Sequence, residues 1–292
     1  MESFIDHLRF LERKAVELRI ATLKITTQAG AGSIGGALSV VDLLIAIYYG
    51  ILPSGAILRT DPEKPGSEEQ DYMVFSKGHA SGALYAVLAD MGFFDPDELK
   101  HYQQVNSNFQ AFPTKKVPGV SVTFGGAGQG LAAAVGLALS LKKEKVRNNV
   151  FCIVGDGEMQ TGDFWEAAML ASHYKLDNLK LVVDWNGLQK NGSIRSNLSV
   201  DPMSDKFESF GWKTIQVHDG HDYEALLLGL ERALEIQRKP SVLIAKTLMG
   251  SGVQFAENKS TYHSRVLSEE ELNEALPILE IYLESLNQNV HS

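Results

Sequence analysis

Two short apolar runs, each broken off by glycine and polar residues, constrain this chain more than any other stretch. The first is Asn149-Val150-Phe151-Cys152-Ile153-Val154, ending in Gly155-Asp156-Gly157-Glu158. The second is Leu181-Val182-Val183, ending in Asp184-Trp185-Asn186-Gly187-Leu188. Runs of this kind read as buried parallel strands whose C-terminal ends open onto a site. Between them 161–175 has helical spacing, with Phe164, Ala168, Leu170 and Ala171 available for one face. The unit is strand–helix–strand, and it delivers Asp156 and Asn186 to one edge of the sheet. Ligands of open α/β sheets bind at that edge.

A carboxylate and an amide flanked by glycines suit a metal bound to phosphate. Magnesium takes octahedral oxygen ligands and uses only one or two protein carboxylates beside phosphate oxygens. Asp156 supplies the charge, Asn186 a neutral oxygen, and the backbone carbonyl at Leu188 a third ligand. Gly155 and Gly157 let the main chain approach phosphate. Asp156-Gly157 in isolation is a tight turn. Its place between two buried strands, with Asn186 thirty residues on, favours a metal–diphosphate site.

The net charge of −9 leaves no basic stripe to neutralise a nucleic-acid backbone. A negative chain that binds phosphorylated ligands must concentrate positive charge locally, on a metal, helix N-termini and a few His or Lys. Cys152, the single cysteine, falls inside an expected buried strand and reads as a core residue. It permits no intrachain disulfide, which fits a reducing cytoplasm. Asp6, Arg9, Glu12 and Arg13 break any signal-peptide pattern, and no apolar run approaches membrane length.

The pattern along the chain predicts an amphipathic helix over 2–29, a loop with four glycines over 30–36, and a helix over 39–49. So many glycines in that loop imply close approach of another group. A surface loop over 53–70 precedes a strand at 71–75, then Ser76-Lys77-Gly78-His79 and a helix over 80–91. A short polar helix at 96–105 and an irregular stretch at 106–119 follow. Gly125-Gly126-Ala127-Gly128-Gln129-Gly130 opens a small-residue helix to 143. Further strands are expected at 213–217 and 241–245, separated by a helix over 223–237. A last helix at 268–286 starts with the capping box Ser268-Glu269-Glu270-Glu271. Strands alternating with helices give an α/β fold, a mostly parallel sheet with helices on both faces, read as a single domain over 1–292. Gly128-x-Gly130-x-x-Ala133 formally fits a dinucleotide fingerprint, but no acidic residue stands at a strand end about twenty positions on.

Gly155-Asp156-Gly157-Glu158 through Asn186 resembles the thiamine diphosphate motif, and nearly the whole chain is similar to the amino-terminal half of transketolase. The resemblance implies a thiamine diphosphate-binding fold with the cofactor's diphosphate held by Mg²⁺ at Asp156, Asn186 and the Leu188 carbonyl. It places Gly157 and Glu158 at the cofactor. Ser76-Lys77-Gly78-His79-Ala80 resembles the segment whose histidine reaches the diphosphate. A histidine after glycine is ordinarily a cap or surface residue, yet a helix N-terminus after a strand favours phosphate. Gly125, Gly126 and Ala127 take the place of the loop touching the aminopyrimidine. Lys246 and His263 match positions beside the diphosphate and the substrate entrance, although a strand-end Lys and an exposed His also occur without a role. Glu166, by itself a helix-surface charge, matches a glutamate buried near cofactor and subunit contact, with a role in proton relay or the interface.

Three positions depart from the family. Ser33 and Phe112 stand where it carries histidines that address the hydroxyls of the donor ketose, and Thr161 where it usually carries glutamate. Phenylalanine donates no hydrogen bond, and a substrate hydroxyl left unpaired costs about 1–3 kcal/mol. The resemblance therefore implies an intact cofactor site beside an altered substrate pocket. The glutamate that activates the aminopyrimidine belongs to a second domain in this family. The resemblance thus implies a partner subunit with the pyrimidine-binding and C-terminal domains, in a heterotetramer. The expected activity is transfer of a two-carbon ketol unit from a ketose (phosphate) to an aldehyde. The alternatives are decarboxylating acyl transfer from pyruvate or another 2-oxo acid, and a non-catalytic assembly subunit.

Overall fold

The computed structural model describes residues 3–65, 67 and 69–288. Residue 2 of the expected first helix, positions 66 and 68 of the surface loop and the ends of the expected 1–292 domain lie outside the described residues. The helices and strands run, in chain order, α1 (Phe4–Ala29), α2 (Ile34–Tyr48), β1 (Ile51–Leu52), β2 (Gly55–Ala56), β3 (Tyr72–Phe75), α3 (Ser81–Asp90), α4 (Gln129–Glu144) and β4 (Val150–Gly155). They continue with α5 (Gly162–His173), β5 (Leu179–Trp185), β6 (Leu188–Gln189), β7 (Gly192–Ser193), α6 (Ile194–Leu198), α7 (Met203–Ser209), β8 (Lys213–Val217), α8 (Tyr223–Glu235), β9 (Ser241–Lys246) and α9 (Glu269–Gln288). Short 3-10 turns precede α3, at Gly78–Ala80, and follow β4, at Asp156–Gln160.

Five strands pair in the order β3-β4-β5-β9-β8, and every pairing is parallel. Alternation along each strand divides the core. Phe151 and Ile153 of β4, Val182 of β5 and Leu243 of β9 join α1, α2, α3 and α8 on one face. Val150, Cys152, Val154, Leu181, Val183, Val242 and Ile244 join α4, α5 and α7 on the other. Helices cover both faces, so the strands read as nearly continuous apolar runs. A third layer forms where α9 packs on α1. The expected capping box closes the start of α9: the Ser268 amide donates to Glu271 at 2.9 Å, and the Glu271 amide to Ser268 Oγ at 3.2 Å.

Two expectations are corrected. The glycine loop is shorter than the pattern suggested, because α2 begins at Ile34 and takes Gly35 and Gly36 into its first turn. Both are buried for a steric reason. A Cβ on Gly35 would sit 2.8 Å from Met249, and one on Gly36 would sit 3.0 Å from His79 Nε2. In α5, Phe164, Ala168 and Ala171 are buried as expected, whereas Leu170 is exposed. The inward stripe is completed by Ala167 instead.

Candidate active site

Strand register sets the site. Gly155 pairs with Asp184 across β4 and β5, and Trp185 pairs with Lys246 across β5 and β9. The three strands therefore end together, and the chain leaves them at Asp156, Asn186 and Thr247. A cavity of about 270 Å³ opens there. Its lining includes Lys77, His79, Phe112, Asp156, Asn186 and His263, with Ala127, Gly155, Gly157, Glu158 and Leu188 around them. Of the residues singled out in the sequence, these are brought together.

Asp156 is 2% exposed and held by its surroundings. Its Oδ1 accepts from the Gly157 amide at 2.9 Å and its Oδ2 from the Gly187 amide at 2.7 Å. Burial, with Asp184 nearby, raises its pKa to about 7 against the pull of those amide bonds. A buried carboxylate facing a cavity in this state is one that a cation would stabilise. The Asn186 side chain spans two anchors: Oδ1 accepts from the Leu188 amide at 3.0 Å and Nδ2 donates to Ser39 Oγ at 3.2 Å. Among the described residues no three His, Cys, Asp or Glu side chains converge as a metal-binding group. The lining offers instead the Asp156 carboxylate and the Asn186 side-chain oxygen, while the second carboxylate, Glu158, is committed to its own hydrogen bonds. The first two fit Mg²⁺ when phosphate oxygens complete its octahedron. A Cβ on Gly157 would touch Gln189 and Ile194 at ordinary van der Waals distance, the nearest atom being Gln189 Oε1 at 3.4 Å.

Across the cavity the imidazoles of His79 and His263 stack. Burial depresses His79 to about 3, with Lys77 and His263 adding to the effect. Burial and then Lys77 depress His263 to about 4. Both rings are neutral at pH 7, so neither supplies the positive charge expected of histidine near phosphate. They offer an N–H and a lone pair. The hydroxyl of Ser33 donates to the His263 carbonyl and so ties the start of α2 to the segment bearing that ring. The Phe112 ring packs against Gly78, where a Cβ would come within 2.3 Å of its Cδ1.

Glu158 is buried in the cavity wall. Its carboxylate accepts from the Gly155 amide at 2.9 Å, the Gly128 amide at 3.0 Å and the Ser76 hydroxyl. It pins three loops to one another.

The other expected residues lie elsewhere. Glu166 stands outside the lining and is exposed on α5 of the single chain, because Phe164, Ala167 and Ala168 turn the opposite side of that helix to the core. Lys246 is exposed at the tip of β9 and stands outside the lining. Gly125 and Gly126 are outside it too. Thr161 donates to the Glu158 carbonyl at 2.9 Å and packs on Gly128.

Sequence reasoning missed a buried ion pair beneath the cavity. Lys77, 1% exposed, bonds Asp184, 0% exposed, and donates to the Gly36 carbonyl at 2.9 Å. Asp184 also accepts from Ser39 Oγ at 2.7 Å and from Thr247 Oγ1. The signal was present. A carboxylate interrupting an apolar strand run needs a buried partner. Also missed were Gln189, Lys190 and Asn191, carried into the lining by the β6–β7 hairpin.

The family model for the transketolase thiamine diphosphate-binding domain matches residues 11–281. The chain belongs to the transketolase family. Its sequence is 36% identical over 274 residues to the 6-deoxy-6-sulfo-D-fructose transketolase subunit of a Clostridium species, covering 92% of this chain and 96% of that one. It is 37% identical over 266 residues to one of the subunits of apulose-4-phosphate transketolase from Actinobacillus succinogenes, covering 90% and 92%. Human transketolase is 34% identical over 261 residues, 89% of this chain and 40% of that one. Transketolase from Campylobacter jejuni superposes with a TM-score of 0.83 at 26% identity, covering 97% of this chain and 49% of that one. The chain thus spans about half the length of that solved transketolase. Among the described residues no helix is long and apolar enough to cross a membrane.

Proposed function

We propose that this chain is the diphosphate-binding subunit of a two-chain transketolase-like enzyme, and that it holds thiamine diphosphate through Mg²⁺. The observation that carries the reading is the convergence of Asp156, Asn186, Gly157, His79 and His263 on one cavity at the tips of β4 and β5. In this reading Asp156, Asn186 and the Leu188 carbonyl hold the metal, and Gly157 brings bare main chain to the diphosphate. When bound, the cofactor supplies the carbanion chemistry that breaks and forms C–C bonds, and the protein supplies orientation and electrostatics. Neutral His79 and His263 direct polar contacts to diphosphate and substrate. Glu158 keeps the cavity wall closed by bonding Gly128, Gly155 and Ser76. Gly125 and Gly126 belong with Ala127 to the aminopyrimidine end, and Lys246 stands at the entrance.

The reaction proposed is transfer of a two-carbon ketol unit from a ketose or ketose phosphate to an aldehyde. Relatives named as transketolase subunits are matched over nearly their full length, against 40% of human transketolase. That contrast supports a partner subunit with the pyrimidine-binding and C-terminal domains, in a heterotetramer. The exposed side of α5, with Glu166 among Met169 and Leu170, is a candidate for that contact. One observation favours a second reading of the donor. The Phe112 ring in the lining offers no hydrogen bond to a sugar hydroxyl, so a 2-oxo acid such as pyruvate is the alternative donor. A reducing cytoplasm is the compartment that suits the single buried Cys152.

The test is calorimetric titration of thiamine diphosphate into the chain with and without Mg²⁺, followed by a donor screen on the chain with its partner. Binding that requires Mg²⁺ and disappears in Asp156→Ala is the expected result. Metal-independent binding, or none to either the chain or its complex, overturns the reading. Ketose phosphate turnover in the screen selects the first donor class, and CO₂ release from pyruvate the second.

A further inference from the structure

A buried polar cluster lies on the α1–α2–α8 side of the sheet, outside the residues that line the candidate site. Asp42, on α2 and 2% exposed, is surrounded by three donors. Arg19 of α1 bonds its Oδ2, the Tyr223 hydroxyl donates to Oδ1 at 2.8 Å, and His221 Nδ1 lies 2.6 Å from Oδ2. Burial opposes ionisation of this carboxyl, but Arg19, His221 and Tyr223 together hold its pKa below the ordinary range. Arg19 Nε also donates to the Ser251 carbonyl at 3.2 Å.

His221 is the member that reaches out of the cluster. The Leu248 amide points at its Nε2 from 2.9 Å. A backbone N–H can only donate, so Nε2 must be the bare nitrogen and Nδ1 must carry the hydrogen that Asp42 accepts. Both ring nitrogens are therefore committed, one to α2 and one to the segment after β9. That segment carries Thr247, whose hydroxyl bonds Asp184, and Gly250, whose amide donates to the Gly35 carbonyl at 3.0 Å. Asp184 in turn accepts from Ser39 Oγ at 2.7 Å and from Lys77. Ser39 Oγ accepts from Asn186 Nδ2 at 3.2 Å. One unbroken series of hydrogen bonds and short chain steps runs from Asp42 to the amide at the cavity.

We propose that His221 is a positioning residue for the cofactor site. By holding the Leu248 amide against α2, it fixes Thr247 on Asp184 and, through Asp184 and Ser39, the rotamer of Asn186 and the seat of Lys77. The inference rests on the cofactor reading given above and adds to it a residue that touches neither metal nor diphosphate. Groups hydrogen-bonded to a metal ligand typically change affinity about ten- to a hundredfold when mutated, and His221, further out along the series, belongs at the low end of that range.

Two substitutions separate this role from a merely structural one. His221→Asn keeps an amide donor for Asp42 and loses the acceptor facing Leu248. His221→Gln places an amide oxygen near the Nε2 position and keeps that acceptor. In calorimetric titration of thiamine diphosphate into the full chain at saturating Mg²⁺, His221→Asn is expected to bind about tenfold more weakly than wild type, and His221→Gln within about threefold of it. Circular dichroism should be unchanged in both. Equal affinity of wild type and His221→Asn overturns the inference, and so does equal weakening by the two substitutions. Wild type that takes up no cofactor, either alone or in complex with its partner subunit, overturns the cofactor reading instead, and this inference with it. Should neither variant fold, the wild-type chain gives the answer by ¹⁵N NMR. The expected spectrum has a neutral imidazole protonated at Nδ1 and a Leu248 amide that shifts when cofactor and Mg²⁺ are added. A Leu248 amide unmoved at saturation overturns the proposal.

Discussion

The rings of His79 and His263 lie with centroids 5.3 Å apart and planes 24° apart, brought together from the turn before α3 and the segment before α9. Two stacked imidazoles beside Lys77 cannot both protonate cheaply, and burial adds to that cost. Their depressed pKa values, about 3 and about 4, give a stability prediction with a definite sign. A folded pKa below the unfolded value of 6.5 means that the unfolded chain binds the extra protons between the two. The stabilising contribution is complete above 6.5 and is lost as pH falls from there towards 4 and 3. For His79 the slope approaches about 1.4 kcal/mol per pH unit inside that window. His263, more open to solvent, contributes less. Urea unfolding at pH 7, 6 and 5 should show wild type losing stability faster than His79→Gln. Parallel losses in the two proteins would remove the basis of the claim.

Phe112 and Gly78 make a pair whose fit can be tested by addition. A methyl group on Gly78 would lie 2.3 Å from Phe112 Cδ1, so Gly78→Ala must displace the ring from the cavity wall. We expect the single substitution to cost about 1–3 kcal/mol, in the range of overpacked sites. In a Phe112→Ala background the same change should cost well under half of that. A double-mutant cycle by chemical denaturation measures the difference. Additive effects would mean that the ring does not rest on Gly78.

How much of this was legible in the sequence depended on whether the information was local. Asp156 and Asn186 each end an apolar run, so their arrival at one sheet edge followed from strand pattern alone, and the register of β4 on β5 agrees. Lys77 and Asp184 are 107 positions apart and Ser39 and Asp184 145. No window of sequence contains such partners. The glycine loop was misjudged for the same reason: Gly35 and Gly36 are needed inside a helix because Met249 and His79 approach from distant segments. Glu166 is legible as a helix-surface charge from α5's own periodicity, and the cavity is not where it points.

The Lys77–Asp184 pair predicts an asymmetry between breaking and removing an ion pair. Both side chains are nearly inaccessible, so Lys77→Met leaves a buried carboxylate without its cation. Such truncations cost about 3–5 kcal/mol. Lys77→Met combined with Asp184→Asn keeps an amide for Ser39 and Thr247 and removes the stranded charge. The double variant should therefore be more stable than Lys77→Met alone by at least about 1 kcal/mol. Denaturant midpoints of the three proteins check this. A double variant less stable than the single one would show that Asp184 is held by its hydroxyl partners and not by Lys77.

Glu158 makes the sharpest case for geometry over charge. Its two oxygens accept three hydrogen bonds, from Gly155, Gly128 and Ser76, and it has no cation of its own within bonding distance among the described residues. Glutamine has nearly the same shape but only one accepting oxygen. In Glu158→Gln the amide nitrogen must face either the Gly155 or the Gly128 amide, donor against donor. The expected cost is about 1–3 kcal/mol, the penalty of an unsatisfied buried donor. The loop before α4 or the turn after β4 should loosen as a result. Hydrogen exchange at the Gly155 and Gly128 amides distinguishes the two, since only the abandoned amide gains a fast-exchanging hydrogen. If both amides kept wild-type protection at unchanged stability, the carboxylate would not be what joins these loops.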